Sequence, residues 1–131
     1  MNRILVDTSA YSAFKRGSPE ALAAIQEADE IDLNPVVIGE LLAGFAGGSK
    51  TRKNERELQE FLTSPRVRVV GMDETTSRRY AVIRHTLRKG GTPIPTNDIW
   101  IAATAMQHGL DLVTLDAHYL KIPQIVVHRL A

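Results

Sequence analysis

A chain of 131 residues, 44% hydrophobic and without cysteine, is long enough for one core-bearing domain, residues 1–131, and excludes disulfides, thiol catalysis and thiolate metal sites. No stretch of about 18 apolar residues is present to cross a membrane, and the opening apolar run is too short for a signal peptide, so a soluble, cytoplasmic protein is expected. The formal net charge of +1 conceals a split: residues 50–89 hold 11 of the 16 basic residues and 5 of the 15 acidic ones, a basic middle suited to a polyanion such as nucleic acid beside an acid-rich remainder suited to a cation.

In chain order, Arg3-Ile4-Leu5-Val6 fits a short buried strand ending at Asp7-Thr8-Ser9. A helix through Tyr11 and Phe14 runs to Gly17, and Ser18-Pro19-Glu20 caps a second over Ala21–Ala28. Ile31-Asp32-Leu33 reads as the next strand, after which Asn34-Pro35 launches a helix over Val36–Phe45, closed by Gly47-Gly48. Thr51–Leu62 is a charged amphipathic helix with Leu58, Phe61 and Leu62 on its apolar side, ended by Ser64-Pro65. Val67–Val70 makes a third strand. Asp73 or Thr75 caps a helix over Thr76–Lys89, whose Tyr80, Ile83 and Leu87 face inward while Arg78, Arg79, Arg84 and Arg88 form a candidate basic patch. The loop Gly90-Gly91-Thr92-Pro93 leads through the turn and capping residues Pro95, Thr96 and Asn97 into an apolar helix stopped by Gly109. Leu110–Leu115 is a fourth strand ending at Asp116, and Ile125-Val126-Val127 supplies a fifth. Short apolar strands alternating with helices predict an α/β fold: one mostly parallel sheet of four or five short strands, flanked by helices on both faces.

Four acids stand in awkward places. Asp7 and Asp116 terminate strands, and Glu40 is the only charge on its helix, sharing a face with Val36, Val37, Ala43 and Gly44. Asp98 opens an otherwise almost uncharged helix, where favourable interaction with the helix N-terminus explains it without any chemistry. In parallel α/β sheets ligands gather beyond the carboxyl ends of the strands, so all four carboxylates are expected to converge there. Such a cluster repels itself unless protons or divalent cations compensate, and all-oxygen ligation suits Mg2+ or Mn2+. Sites of this kind serve phosphoryl transfer, activating a water for in-line attack on a phosphodiester. His85, His108, His118 and His128 show no metal-ligand spacing; His118, two residues after Asp116, is the one placed to contact a substrate. Trp100, amid Ile99, Ile101 and Ala102, is expected in the core.

The succession Ile4-Leu5-Val6-Asp7-Thr8-Ser9, Val37-Ile38-Gly39-Glu40-Leu41, Pro95-Thr96-Asn97-Asp98-Ile99-Trp100-Ile101-Ala102-Ala103 and Leu112-Val113-Thr114-Leu115-Asp116-Ala117-His118 resembles the PIN-domain ribonucleases, specifically the VapC-type toxins of bacterial toxin–antitoxin pairs. Each motif alone is weak; their order and spacing over practically the whole chain are specific. The resemblance implies a Mg2+- or Mn2+-dependent endoribonuclease that attacks structured cellular RNA such as tRNA or rRNA and arrests translation. It further implies a homodimer and a neutralising VapB-type antitoxin. Asp7, Glu40, Asp98 and Asp116 match the family's acidic quartet. On that basis Asp7, Asp98 and Asp116 are expected to hold the principal ion directly or through water, while Glu40 completes the site or orients the attacking water. Thr8, Asn97 and Thr114 are candidates to steady the carboxylates by hydrogen bonds, although turn and cap polarity explains Thr8 and Asn97 equally well. A receiver-like, Mg2+-binding phospho-acceptor is an alternative, but it needs a strand-end lysine, and Lys121 stands outside that position before Ile122-Pro123. A catalytically idle interaction module is opposed by the complete acidic set.

Overall fold

The strand Arg3–Val6 (β1) lies at the centre of a five-stranded sheet in the computed structural model, which describes residues 2–131. The other strands are Glu30–Leu33 (β2), Val67–Val69 (β3), Asp111–Thr114 (β4) and Val127–Arg129 (β5). Their spatial order is β3-β2-β1-β4-β5 and every pairing is parallel, with Leu5 opposite Asp32 on one side and Leu112 on the other. A strand flanked on both sides and covered on both faces must be apolar at consecutive positions, and Ile4, Leu5 and Val6 are all buried. The edge strands are freer: Val69 of β3 is 51% exposed.

Helices α1 (Thr8–Lys15) and α2 (Pro19–Glu27) connect β1 to β2, and α3 (Pro35–Ala46) and α4 (Thr51–Leu62) connect β2 to β3. The chain then reverses, and α5 (Glu74–Lys89) and α6 (Thr96–His108) carry it back across the sheet to β4. Right-handed crossovers place the first four helices on one face and α5–α6 on the other. The reversal leaves a switch point between β1 and β4, the place where parallel α/β sheets open a crevice at their carboxyl edge.

Local chemistry explains the helix boundaries. Asn34 is completely buried; its Oδ1 accepts from Val37 N at 3.0 Å to cap α3, and its Nδ2 donates to Thr104 Oγ1 of α6 at 3.0 Å. Asp73, rather than Thr75, caps α5 in a reciprocal box with Thr76. Gly109 closes α6 with φ of 64°, a left-handed conformation that glycine adopts without a Cβ penalty.

Three expectations shift. The fifth strand begins at Val127 instead of Ile125, because Pro123-Gln124 turns the chain first and Leu112 N then donates to Val126 O at the strand's entry. Helix α6 starts at Thr96, and Pro95, which has no side-chain acceptor to offer, occupies its N-cap position. Trp100 is only half-buried, its ring stacked on Tyr80 of α5 at 4.2 Å between centroids, whereas Ile99, Ile101 and Ala102 are buried as expected.

Candidate active site

Asp7, Thr8, Ser9, Glu40, Asp98, Ile101, Asp116 and Tyr119 are among the residues lining one cleft of about 260 Å³ at the switch point. Asp7 immediately follows β1 and caps α1, its Oδ1 accepting from Ala10 N at 2.8 Å and from Ser9 Oγ at 2.7 Å. Its Oδ2 accepts from Thr114 Oγ1, the last residue of β4, at 2.6 Å. This carboxylate is 4% exposed, and burial pushes its pKa up; the hydrogen bonds from Thr114, Ala10 and Ser9 counter that push, and the nearby Asp98 charge reinforces it.

Asp98 sits in the first turn of α6, yet its carboxylate does not cap the helix. Oδ1 accepts from the Tyr119 hydroxyl at 3.2 Å and Oδ2 lies 3.2 Å from His118 Nδ1. Burial raises the Asp98 pKa; contacts from His118 and Tyr119 offset part of the rise, and the Asp116 charge adds to it. Asp116 caps the short 3₁₀ turn Ala117–Lys121, accepting from His118 N at 2.8 Å, while its own N–H donates to Thr114 Oγ1 at 2.9 Å. Glu40 reaches the cleft from the second turn of α3, where Oε1 accepts from Thr8 Oγ1 at 2.7 Å and Oε2 from Asn97 Nδ2 at 3.4 Å.

The structure thus brings together all four acids singled out in the sequence, with Thr8 and Asn97 on Glu40 and Thr114 on Asp7. Two neighbours are added, Ser9 and Tyr119, and His118 is drawn into the site. Ser9 joins the halves of the site, bonding Asp7 and accepting from Leu115 N at 3.0 Å. Tyr119 is 1% exposed with its hydroxyl on Asp98, and its pKa is driven strongly upward by burial and then by the surrounding carboxylates, so it remains a donor. His118, whose sequence spacing gives no hint of ligation, places Nδ1 3.2 Å from both Asp98 Oδ2 and Asp116 Oδ1. Only the 3₁₀ turn that folds the chain back over α6 makes these contacts, and no periodicity in the sequence announces it. Of the other histidines, His85 is exposed and His128 pairs with Asp111 at 2.8 Å.

One ligand atom from each of Asp98, Asp116 and His118 lies within 4.8 Å of the others. Mutually repelling carboxylates, two of them (Asp7 and Asp98) with pKa values raised by burial, and held among the described residues by hydroxyl and amide donors instead of by arginine or lysine, fit a small divalent cation as the missing compensation.

The PIN domain sequence profile matches residues 4–125. The chain belongs to the PIN domain family. Among curated relatives of this PIN domain, ribonuclease VapC4 of Mycobacterium tuberculosis is 32% identical over 97% of the chain and 96% of its own length. Toxin FitB of Neisseria gonorrhoeae is 33% identical over 86% of the chain and 87% of its own. Among solved structures, FitAcB from Neisseria gonorrhoeae superposes with a TM-score of 0.80 at 27% identity, covering 96% of both chains. VapBC2 from Rickettsia felis bound to a promoter DNA fragment shares the PIN fold, with a TM-score of 0.85 at 21% identity over 98% of both chains.

Proposed function

We propose that this PIN domain is a divalent-metal-dependent endoribonuclease, a VapC-like toxin that cleaves structured cellular RNA such as tRNA or rRNA and is held in check by a VapB-type antitoxin. The observation that carries this reading is the convergence of Asp7, Glu40, Asp98 and Asp116 in one cleft at the switch point, in a chain whose full-length relatives include named ribonucleases. By the VapC-type resemblance, the protein is taken to act as a cytoplasmic homodimer.

Asp98 and Asp116 would hold the ion, with Asp7 alongside, and either Mg2+ or Mn2+ suits carboxylate donors. When bound, the ion supplies Lewis acidity that eases deprotonation of an attacking water and neutralises charge building on the scissile phosphate. Thr114, Ser9 and the Ala10 amide keep Asp7 in one rotamer, so its position is set before substrate arrives. Tyr119 does the same for Asp98. Glu40, oriented by Thr8 and Asn97, would orient the water and receive its proton.

Substrate is gripped elsewhere. Within the basic middle of the chain, Arg66 is committed to the Ile25 and Ala28 carbonyls, Arg68 to Glu30 and Arg78 to Glu74. Among the described residues, Arg79, Arg84 and Arg88 of α5 have no ion-pair or hydrogen-bond partner for their side chains, and Arg84 and Arg88 flank Tyr80 on that helix's outer surface. These three are the candidates to contact phosphates.

RNA cleavage by the wild type and by folded Asp7→Asn, Asp98→Asn and Asp116→Asn variants tests the reading. Chelator-sensitive cleavage that each substitution abolishes is expected, and full activity in any two variants would sink the assignment. RNA affinity should fall steeply with salt; an affinity independent of salt removes the arginine contacts.

A further inference from the structure

We propose that His118 is itself a metal ligand, and that the mixed nitrogen–oxygen set of His118, Asp98 and Asp116 makes this centre prefer Mn2+ over Mg2+. The inference rests on the metal-dependent reading of the cleft and goes beyond its acidic quartet. Nδ1 of His118 is 3.2 Å from Asp98 Oδ2 and 3.2 Å from Asp116 Oδ1. Adjacent donors of an octahedral ion with bonds of about 2.1 Å lie roughly 3 Å apart, so both spacings match edges of a coordination face.

The neighbours orient these three atoms toward one another. Tyr119 occupies Asp98 Oδ1 and so directs Oδ2 at the imidazole. His118 N is tied to Asp116 Oδ1 at 2.8 Å, which fixes the 3₁₀ turn and the base of the ring. Asp7 is differently placed: its two oxygens already accept hydrogen bonds from Ser9, Ala10 and Thr114. Glu40 is likewise engaged by Thr8 and Asn97. The three donors that converge within reach of one ion therefore include a nitrogen. Mg2+ favours oxygen and retains much of its water shell, whereas imidazole suits transition-metal ions.

Two measurements on the full chain decide it. Pulsed EPR of the Mn2+-loaded protein should show coupling to a directly bound imidazole nitrogen, absent from His118→Gln. The His118 side chain is 44% exposed, and metal-free thermal unfolding checks that the variant keeps its fold. In calorimetric titrations His118→Gln should lose at least about tenfold in Mn2+ affinity, the lower end of what even outer partners of a ligand contribute. Its Mg2+ affinity should fall by a smaller factor, shrinking the ratio between the ions. Mn2+ bound without nitrogen coupling in the wild type overturns the assignment of His118 and leaves the metal-dependent reading standing. Equal weakening toward both ions also overturns it, reducing His118 to a hydrogen-bond partner of the carboxylates. Failure of both ions to bind the wild type overturns both readings.

Discussion

Thr114 joins three parts of the candidate site through one hydroxyl: it donates to Asp7, accepts from Asp116 N and lies 3.3 Å from Ser9 Oγ. Because it is fully buried, Thr114→Val removes the donor to Asp7 Oδ2 and the acceptor of the Asp116 amide. The variant should lose about 1–3 kcal/mol, seen as a lower urea midpoint at unchanged slope, while Thr114→Ser should recover most of it. Asp32 of β2 is the opposite case, 1% exposed with no hydrogen bond to either oxygen. Burial first, then the neighbouring Glu30, push it up to about 7 against a partial pull from Arg68 and Arg3. Its folded pKa therefore exceeds its unfolded one, near 3.8, so the native state binds more protons between these values and stability falls as pH rises through that window. Asp32→Asn should remove that slope. Denaturation at several pH values should find the variant more stable by roughly 1–3 kcal/mol at pH 8, with the gap closing toward pH 4. At this scale the sequence is a partial guide. Carboxylates in apolar segments stand out, so Asp7, Glu40, Asp98 and Asp116 are legible. His118 stands out only as the histidine two residues after Asp116, without its contact to Asp98, and Tyr119 not at all, since both depend on which helix the 3₁₀ turn lands on; Asp32 is equally silent, because strand alternation alone permits a polar residue there.

Among the elements, α3 and α6 deliver Glu40 and Asp98 from different crossovers, and they meet through Asn34. The capping bond to Val37 and the bond to Thr104 share one buried side chain. Asn34→Ala should cost about 1–3 kcal/mol by removing the cap and orphaning buried polar groups, and amide exchange should speed up in the first turn of α3. Element order and type are readable from apolar runs and from Asn34-Pro35, Ser18-Pro19 and Gly109. The ends are less so: Pro123-Gln124 delays β5, and Thr96 and Asn97, both capable caps, lie inside α6 while Pro95 holds the cap position. Such shifts arise because sheet pairing and helix docking outweigh local preference at boundaries.

For the whole molecule, the burial of Asp7 and Asp98 opposes folding while they are charged, and a bound cation would offset that cost. Saturating divalent ion should raise stability by mass action, about 2.7 kcal/mol at a hundredfold excess over its dissociation constant, and chelator should reverse it. Asp98→Asn should be more stable than wild type without metal, as its half-buried charge is gone, and should gain less from added ion. Thermal scans with and without metal read both effects. A variant that still gains fully would remove Asp98 from the ion's coordination.

The switch point between β1 and β4 has a further consequence, one of timing. Asp7 is made near the start of synthesis, but the hydroxyl that holds it belongs to Thr114, and Asp116 comes later still. A nascent chain that has yet to emerge through β4 has Asp7 and Glu40 but lacks the other wall of the cleft. The four-carboxylate cleft is therefore completed only near the end of synthesis, and a product truncated before β4 cannot assemble it.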